Sequence, residues 1–129
     1  MLGCDLATWR ETHREVLSGV VPADSLDAKL QVTSNPMPIG VYPTSAERGF
    51  DAYIRVAIVV DTAGRVGLAD VLDMRILART PYRTTDPEVE ADFRRSALAT
   101  VQPTIFSRPF WAGRPVKVLI CVPVNFTGG

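Results

Sequence analysis

The residues able to do chemistry are few and badly spaced for it. His13 is the single histidine of the 129-residue chain. It falls on the stripe Leu6, Trp9, His13, Val16, Leu17 and Val20, whose i, i+3, i+4, i+7 spacing is that of an amphipathic helix over Asp5–Val20. It therefore reads as a packed helix residue rather than a general base. A metal site needs His, Cys or carboxylate ligands at suitable spacing, and Cys4, His13 and Cys121 supply none. Asp70 and Asp73 would be a carboxylate pair for acid–base work. Three apart on an extended strand they face opposite ways, unless a bulge realigns them, and they read as solvated edge residues. Gly64-Arg65-Val66-Gly67 is a turn rather than a phosphate cradle, because no glycine-rich loop feeds a helix. The expectation is a non-enzymatic chain without cofactor or metal.

Composition narrows the classes further. A hydrophobic share of 47% and a charged share of 22% are ordinary for a soluble globular domain. Fourteen basic and fourteen acidic side chains cancel, so no basic patch of the kind phosphate binding needs is expected, and no nucleic-acid partner. Arg94-Arg95 reads as the solvated side of a helix. No apolar run reaches the ~20 residues that span a bilayer, so membrane association would need an anchor or lipid outside these residues. Two cysteines make no disulfide framework. Cys121 reads as a small filler. Met1-Leu2-Gly3-Cys4 has the form of a lipoprotein signal end if more sequence precedes it; otherwise Cys4 is a surface cysteine of a terminal arm.

The elements that would position a site are clearer. Asp5 can cap the first helix, with Gly19 and Pro22 ending it. Ala23–Lys29 suggests a helical turn, Leu30-Gln31-Val32 a short strand, and Asn35–Pro38 an extended linker. Residues 1–38 thus form a helical arm and linker, and residues 39–129 the main domain. There, Tyr42–Gly49 suggests a short helix with Pro43 in its first turn. Ala52–Asp61 alternates as a strand, Asp61–Gly64 turns, and Arg65–Met74 returns with a slip that implies a bulge near Gly67–Ala69. After an irregular 75–86, Asp86-Pro87 starts a helix with Val89, Phe93, Ala97, Leu98 and Val101 on one side, and Pro103 ends it. The last strand, Pro115–Phe126, places Val116, Val118, Ile120, Val122, Val124 and Phe126 on one face. Pro123 lacks an N–H, which suits a sheet edge. Phe110 and Trp111 before it would cap the core or, alternatively, touch a partner. The expected fold is α+β: a three-stranded antiparallel sheet in the order second–first–third, two helices on one face, and an N-terminal amphipathic helix.

The ordered set Tyr42-Pro43…Ala46, Val60-Asp61…Gly64-Arg65-Val66, Ala97-Leu98…Val101, Gly113-Arg114-Pro115-Val116 and Val122-Pro123-Val124-Asn125-Phe126 resembles the C-terminal domain of TonB over roughly residues 41–127. The resemblance is carried most by the Gly-x-Pro-Val…Val-Pro-Val-x-Phe ending. The chain departs from the family in the longer Arg75–Asp86 segment and in its first helix. The resemblance implies a periplasmic energy transducer. Its final strand pairs with the Ton box, an extended segment of an outer-membrane receptor, and passes on force from the inner membrane.

Carried onto this sequence, the partner-binding residues would be Val116, Lys117, Val118, Leu119, Ile120, Cys121 and Val122, with Tyr42 and Pro43 nearby. Pro123 would limit the added strand. The alternative is an assembly subunit of a cell-envelope complex, whose edge pairs with its own arm or with a second copy. A homodimer through that edge belongs to this second reading. Whether the edge backbone is open or already paired separates the two.

Overall fold

The computed structural model describes residues 10–11, 18–33, 43–47, 49–79 and 87–127. Its elements are β1 (Val20–Pro22), a 3-10 turn (Ala23–Ser25), α1 (Thr44–Glu47), β2 (Phe50–Val60), β3 (Val66–Ala78), α2 (Pro87–Val101), β4 (Phe110–Trp111), β5 (Arg114–Pro115) and β6 (Lys117–Phe126). The fold is α+β with a mixed four-stranded sheet in the order β1-β6-β2-β3, plus a small β4–β5 hairpin.

The long strands form where apolar residues alternate. On β2, Ala52, Ile54, Val56, Ile58 and Val60 are buried on one face, and Val118, Val124 and Phe126 of β6 join them. The β2–β6 register runs unbroken from Val60↔Val118 to Ala52↔Phe126. Between β2 and β3 the register shifts twice. Gly67 is the extra residue at the first shift and Leu72 at the second, so the inward set changes from Val66 to Ala69 and Val71, and then to Met74, Ile76 and Ala78. The bulge at Gly67 is the expected one. The bulge at Leu72 was not anticipated, and it turns Asp70 and Asp73 to the same face, opposite Ala57 and Arg55. They form no carboxylate pair: Asp73 is engaged by the Arg55 guanidinium.

The turn joining β2 to β3 is held by the Asp61 carboxylate, which accepts from the N–H groups of Ala63 and Arg65 at 2.9 Å each. Gly64 supplies the positive φ of 84°. α2 starts at Pro87, where a missing N–H costs nothing, and carries Glu88 and Glu90 in its first turn. Val89, Phe93, Ala97 and Val101 face the sheet. The Phe93 ring lies 5.9 Å from that of Phe126. This side of the sheet holds the main core.

Four expectations need correction. The sheet is not three-stranded and antiparallel: β1, from the arm, adds a fourth strand parallel to β6. Val20 belongs to that strand and not to the first helix, because Gly19 takes a φ of 77° and turns the chain. Most of the proposed Asp5–Val20 helix, and the Asn35–Pro38 linker, lie outside the described residues, although Arg10 and Glu11 are helical. Among the described residues one full-length helix covers the core, α1 being a single turn that ends before Gly49. Finally, β3 continues to Ala78, past the expected stop at Met74.

Candidate functional site

Docking along the final strand needs its edge to be open from Val116 to Val122, whereas an assembly subunit would have it paired with the arm or a second copy. The start of that edge is occupied. Val20, Val21 and Pro22 of β1 lie opposite Lys117, Val118 and Leu119. Val116 is outside β6 altogether, and its N–H donates to Pro109 O at 3.0 Å. Val118 is fully buried in the core. Ile120 and Val122 are half-buried against that core. Pro43 is buried, and its carbonyl accepts from Ala46 N–H, so it contributes structure rather than surface. Tyr42 lies outside the described residues. Cys121 is not a filler: it is disulfide-bonded.

The arm that supplies β1 is fixed at two further places. Asp27 N–H donates to Phe110 O at 2.8 Å, and the Asp27 carboxylate accepts from Ala112 and Gly113 N–H at 2.9 Å each. That carboxylate stabilises the β4–β5 turn, in which Ala112 has a positive φ of 52°. Further along, Ser107 N–H donates to Gln31 O and Thr33 N–H to Ile105 O, a short pairing centred on the Val32↔Phe106 bridge. The Leu30–Val32 strand expected from sequence is thus a single bridge, directed at residues 105–107 and not at β6. Phe106 N–H in turn donates to Gly64 O, so the segment is held between the arm and the β2–β3 turn.

Beyond Leu119 the arm diverges from β6 and two cavities open along the strand. The first, about 510 Å³, is bounded by Pro22 and Leu30 of the arm and by Leu119, Ile120 and Cys121 of β6, with Arg10, Asp24 and Lys29 contributing mixed charge. The second, about 250 Å³, lies on the α2 side between Val32, Val101, Phe106, Val122 and Val124. Among the described strands, none lies on the outer side of Val122–Asn125. Pro123 there offers a carbonyl but no donor.

Sequence reasoning did not count Leu30, Val32, Phe106 or Asn125 among the partner-binding residues, although they line the cavities. Val32 is apolar yet 43% exposed. Trp111 does not cap the core; it is 44% exposed at the hairpin, while Phe110 is half-buried under the Arg108 guanidinium at 5.4 Å. Among the described residues no group of His, Cys, Asp or Glu is arranged to hold a metal ion, and no helix is long and apolar enough to cross a membrane. No protein-family model matches the chain, and no curated protein matches its sequence.

Proposed function

We propose that this chain is a protein-binding module that captures an extended polypeptide segment by strand addition along β6 beyond Leu119. The observation that carries this reading is the pair of cavities along that stretch, which share Val32 and Phe106 as a common wall. A strand laid there would continue the row that β1 begins, with side chains able to enter the two cavities at different points along it. Backbone bonds would supply affinity and the cavities selectivity. The resemblance of the final strand to TonB C-terminal domains supports the same reading. It narrows the occupant to a Ton-box-like segment of an outer-membrane receptor, met in the periplasm, with the module passing on force from the inner membrane. On this reading α1, α2 and strands β3-β2-β6 are the TonB-like two-helix, three-strand unit, and β1 is an addition to it.

A second reading is favoured by one observation: β1 already pairs with Lys117–Leu119. The row would then serve an assembly subunit, filled by the chain's own arm and completed by a second copy. Titrating the ¹⁵N-labelled full chain with Ton-box-type peptides separates the two. Capture predicts amide shifts clustered at Ile120–Asn125 and at Leu30–Val32. No shift at millimolar peptide, with a concentration-dependent dimer instead, would sink capture in favour of assembly.

A further inference from the structure

β3 ends the sheet on the side away from β1, and among the described strands its one neighbour is β2. It is a long edge, 13 residues from Val66 to Ala78. It holds neither Pro nor Lys, the residues that commonly keep an edge from pairing with another chain. Past the bulge at Leu72, Asp73–Ala78 runs in unbroken register against β2.

The end of that stretch shows which backbone groups face outward. Arg79 N–H donates to Gly49 O at 2.7 Å, continuing the register in which Ala78 faces Phe50. Bonded pairs alternate along an antiparallel ladder, so Leu77, Arg75 and Asp73 also turn their backbone groups to β2. Met74, Ile76 and Ala78 then turn theirs to the open side. Among the described residues nothing bonds to those outward groups.

The side chains of this edge complement themselves. Asp73 and Arg75 stand on one face, opposite Arg55 and Tyr53 of β2. Both are exposed; Asp73 is held by the Arg55 guanidinium, and Arg75 makes no ion pair with a described residue. We propose that β3 pairs antiparallel with β3 of a second copy of this chain, about a two-fold axis at Met74. Asp73 of each copy then faces Arg75 of the other. An axis at Arg75 would set Arg75 against Arg75, and one at Asp73 would set Asp73 against Asp73. Like charges directly opposite destabilise a ladder. An axis at Ile76 leaves Arg75 facing Leu77 and pairs no charges.

The backbone agrees with the charges. Met74 becomes a bonded pair on the axis, each N–H donating to the other copy's carbonyl. Asp73 and Arg75 fall in the non-bonded pairs beside it, where facing side chains come closest. The Asp73 carboxylate then lies between Arg55 of its own copy and Arg75 of the second. Met74 and Ile76, half-buried against the core, lose their open side as the ladder forms. Four strands from each copy join into one continuous sheet with the two β3 strands at its centre. β6 lies beyond β2 from this interface, so the row past Leu119 stays accessible in both copies. The pairing does not depend on what β6 captures.

Sedimentation velocity on the full chain should show a monomer–dimer equilibrium that weakens with added salt. Amide exchange at Met74 and Ile76 should slow as the dimer forms, with exchange across Val122–Asn125 unchanged. Arg75→Asp sets carboxylates against each other in both charged pairs, and should weaken dimerisation by about tenfold or more. Asp73→Arg should do the same with guanidiniums. Mixed in equal amounts, the two variants should associate again, because every carboxylate then faces a guanidinium. A monomer at every concentration, or variants that self-associate as the wild type does, would overturn the proposal. So would a mixture that stays monomeric, or a dimer that protects Val122–Asn125 instead, as the assembly reading of β6 requires.

Discussion

Gly64 concentrates more constraint than any other described glycine. Its φ is 84°, and a Cβ built on it would lie 2.2 Å from the carbonyl oxygen of Phe106. That oxygen is backbone and cannot swing aside. The same close approach lets Phe106 N–H donate to Gly64 O at 2.8 Å. Gly64→Ala therefore combines a left-handed backbone with a backbone clash, and should cost about 2–4 kcal/mol. Urea unfolding of the variant measures it; a loss under about 0.5 kcal/mol would mean that the turn and the 105–107 segment are not in contact. Gly67 is the contrast, with only Val59 O at 3.6 Å from its would-be Cβ. The sequence marked both as turn or bulge glycines, but their unequal constraint follows from Phe106, a neighbour distant in sequence, which no local pattern contains. Cys121 makes the same point. Its alternation placed it correctly on the face away from the apolar row, but spacing cannot tell which Cα atoms come within bonding range.

At the scale of elements, legibility followed the strength of the period. β2, β6 and α2 were readable because each carries an unbroken stripe, of period two in the strands and near four in the helix. β3 was readable only to Met74: Ile76 and Ala78 continue the inward alternation, but only after the second shift at Leu72, which the local pattern does not mark. β1 was not. Val20 also completes the helical stripe of the preceding residues, and Pro22 argues against a strand unless its missing donor costs no ladder bond. Three residues with a partner at the far end of the chain leave no periodic trace. The α1–α2 junction was equally hidden, and it carries a pH effect. Ser45 N–H, in the single turn of α1, donates to Asp92 Oδ2 of α2 at 2.8 Å. Burial pushes the Asp92 carboxyl up, but hydrogen bonds from Ser45 and from Arg95, with the Arg95 charge, outweigh it and hold it below the usual carboxylate range. A carboxyl whose folded pKa is depressed contributes stability that is present above its unfolded pKa, about 3.9. The contribution is lost as pH falls through the lower folded value. Asp92→Asn should thus destabilise at pH 6 and make little difference near pH 2. Urea midpoints at the two pH values test this, and a pH-independent difference would contradict it.

For the whole molecule, the question is how firmly a strand of three residues can hold part of a docking row. The β1–β6 ladder alone is short, and β1 is pinned because the arm is anchored again at Asp27 and at Gln31–Thr33. The Asp27 carboxylate makes two charge-assisted bonds to the backbone of Ala112 and Gly113. Their loss in Asp27→Ala should weaken the arm by about 1–2 kcal/mol, the lower part of the usual range because the site is exposed. The consequence for capture depends on peptide length. A peptide confined to the stretch beyond Leu119 does not meet β1, so its affinity should stay within about twofold in the variant. A longer peptide that reaches Lys117 must first displace Val20–Pro22, and its apparent affinity is reduced by the fraction of molecules in which the arm is open. Loosening the arm should raise that affinity by roughly five- to thirtyfold, the equivalent of 1–2 kcal/mol. Fluorescence anisotropy with a short and a long labelled peptide on both proteins reads the difference directly. If both peptides gain equally, β1 does not compete for the row. If the long one gains alone, the arm is a competitor built into the chain, and the row it shares with the captured segment is one continuous site.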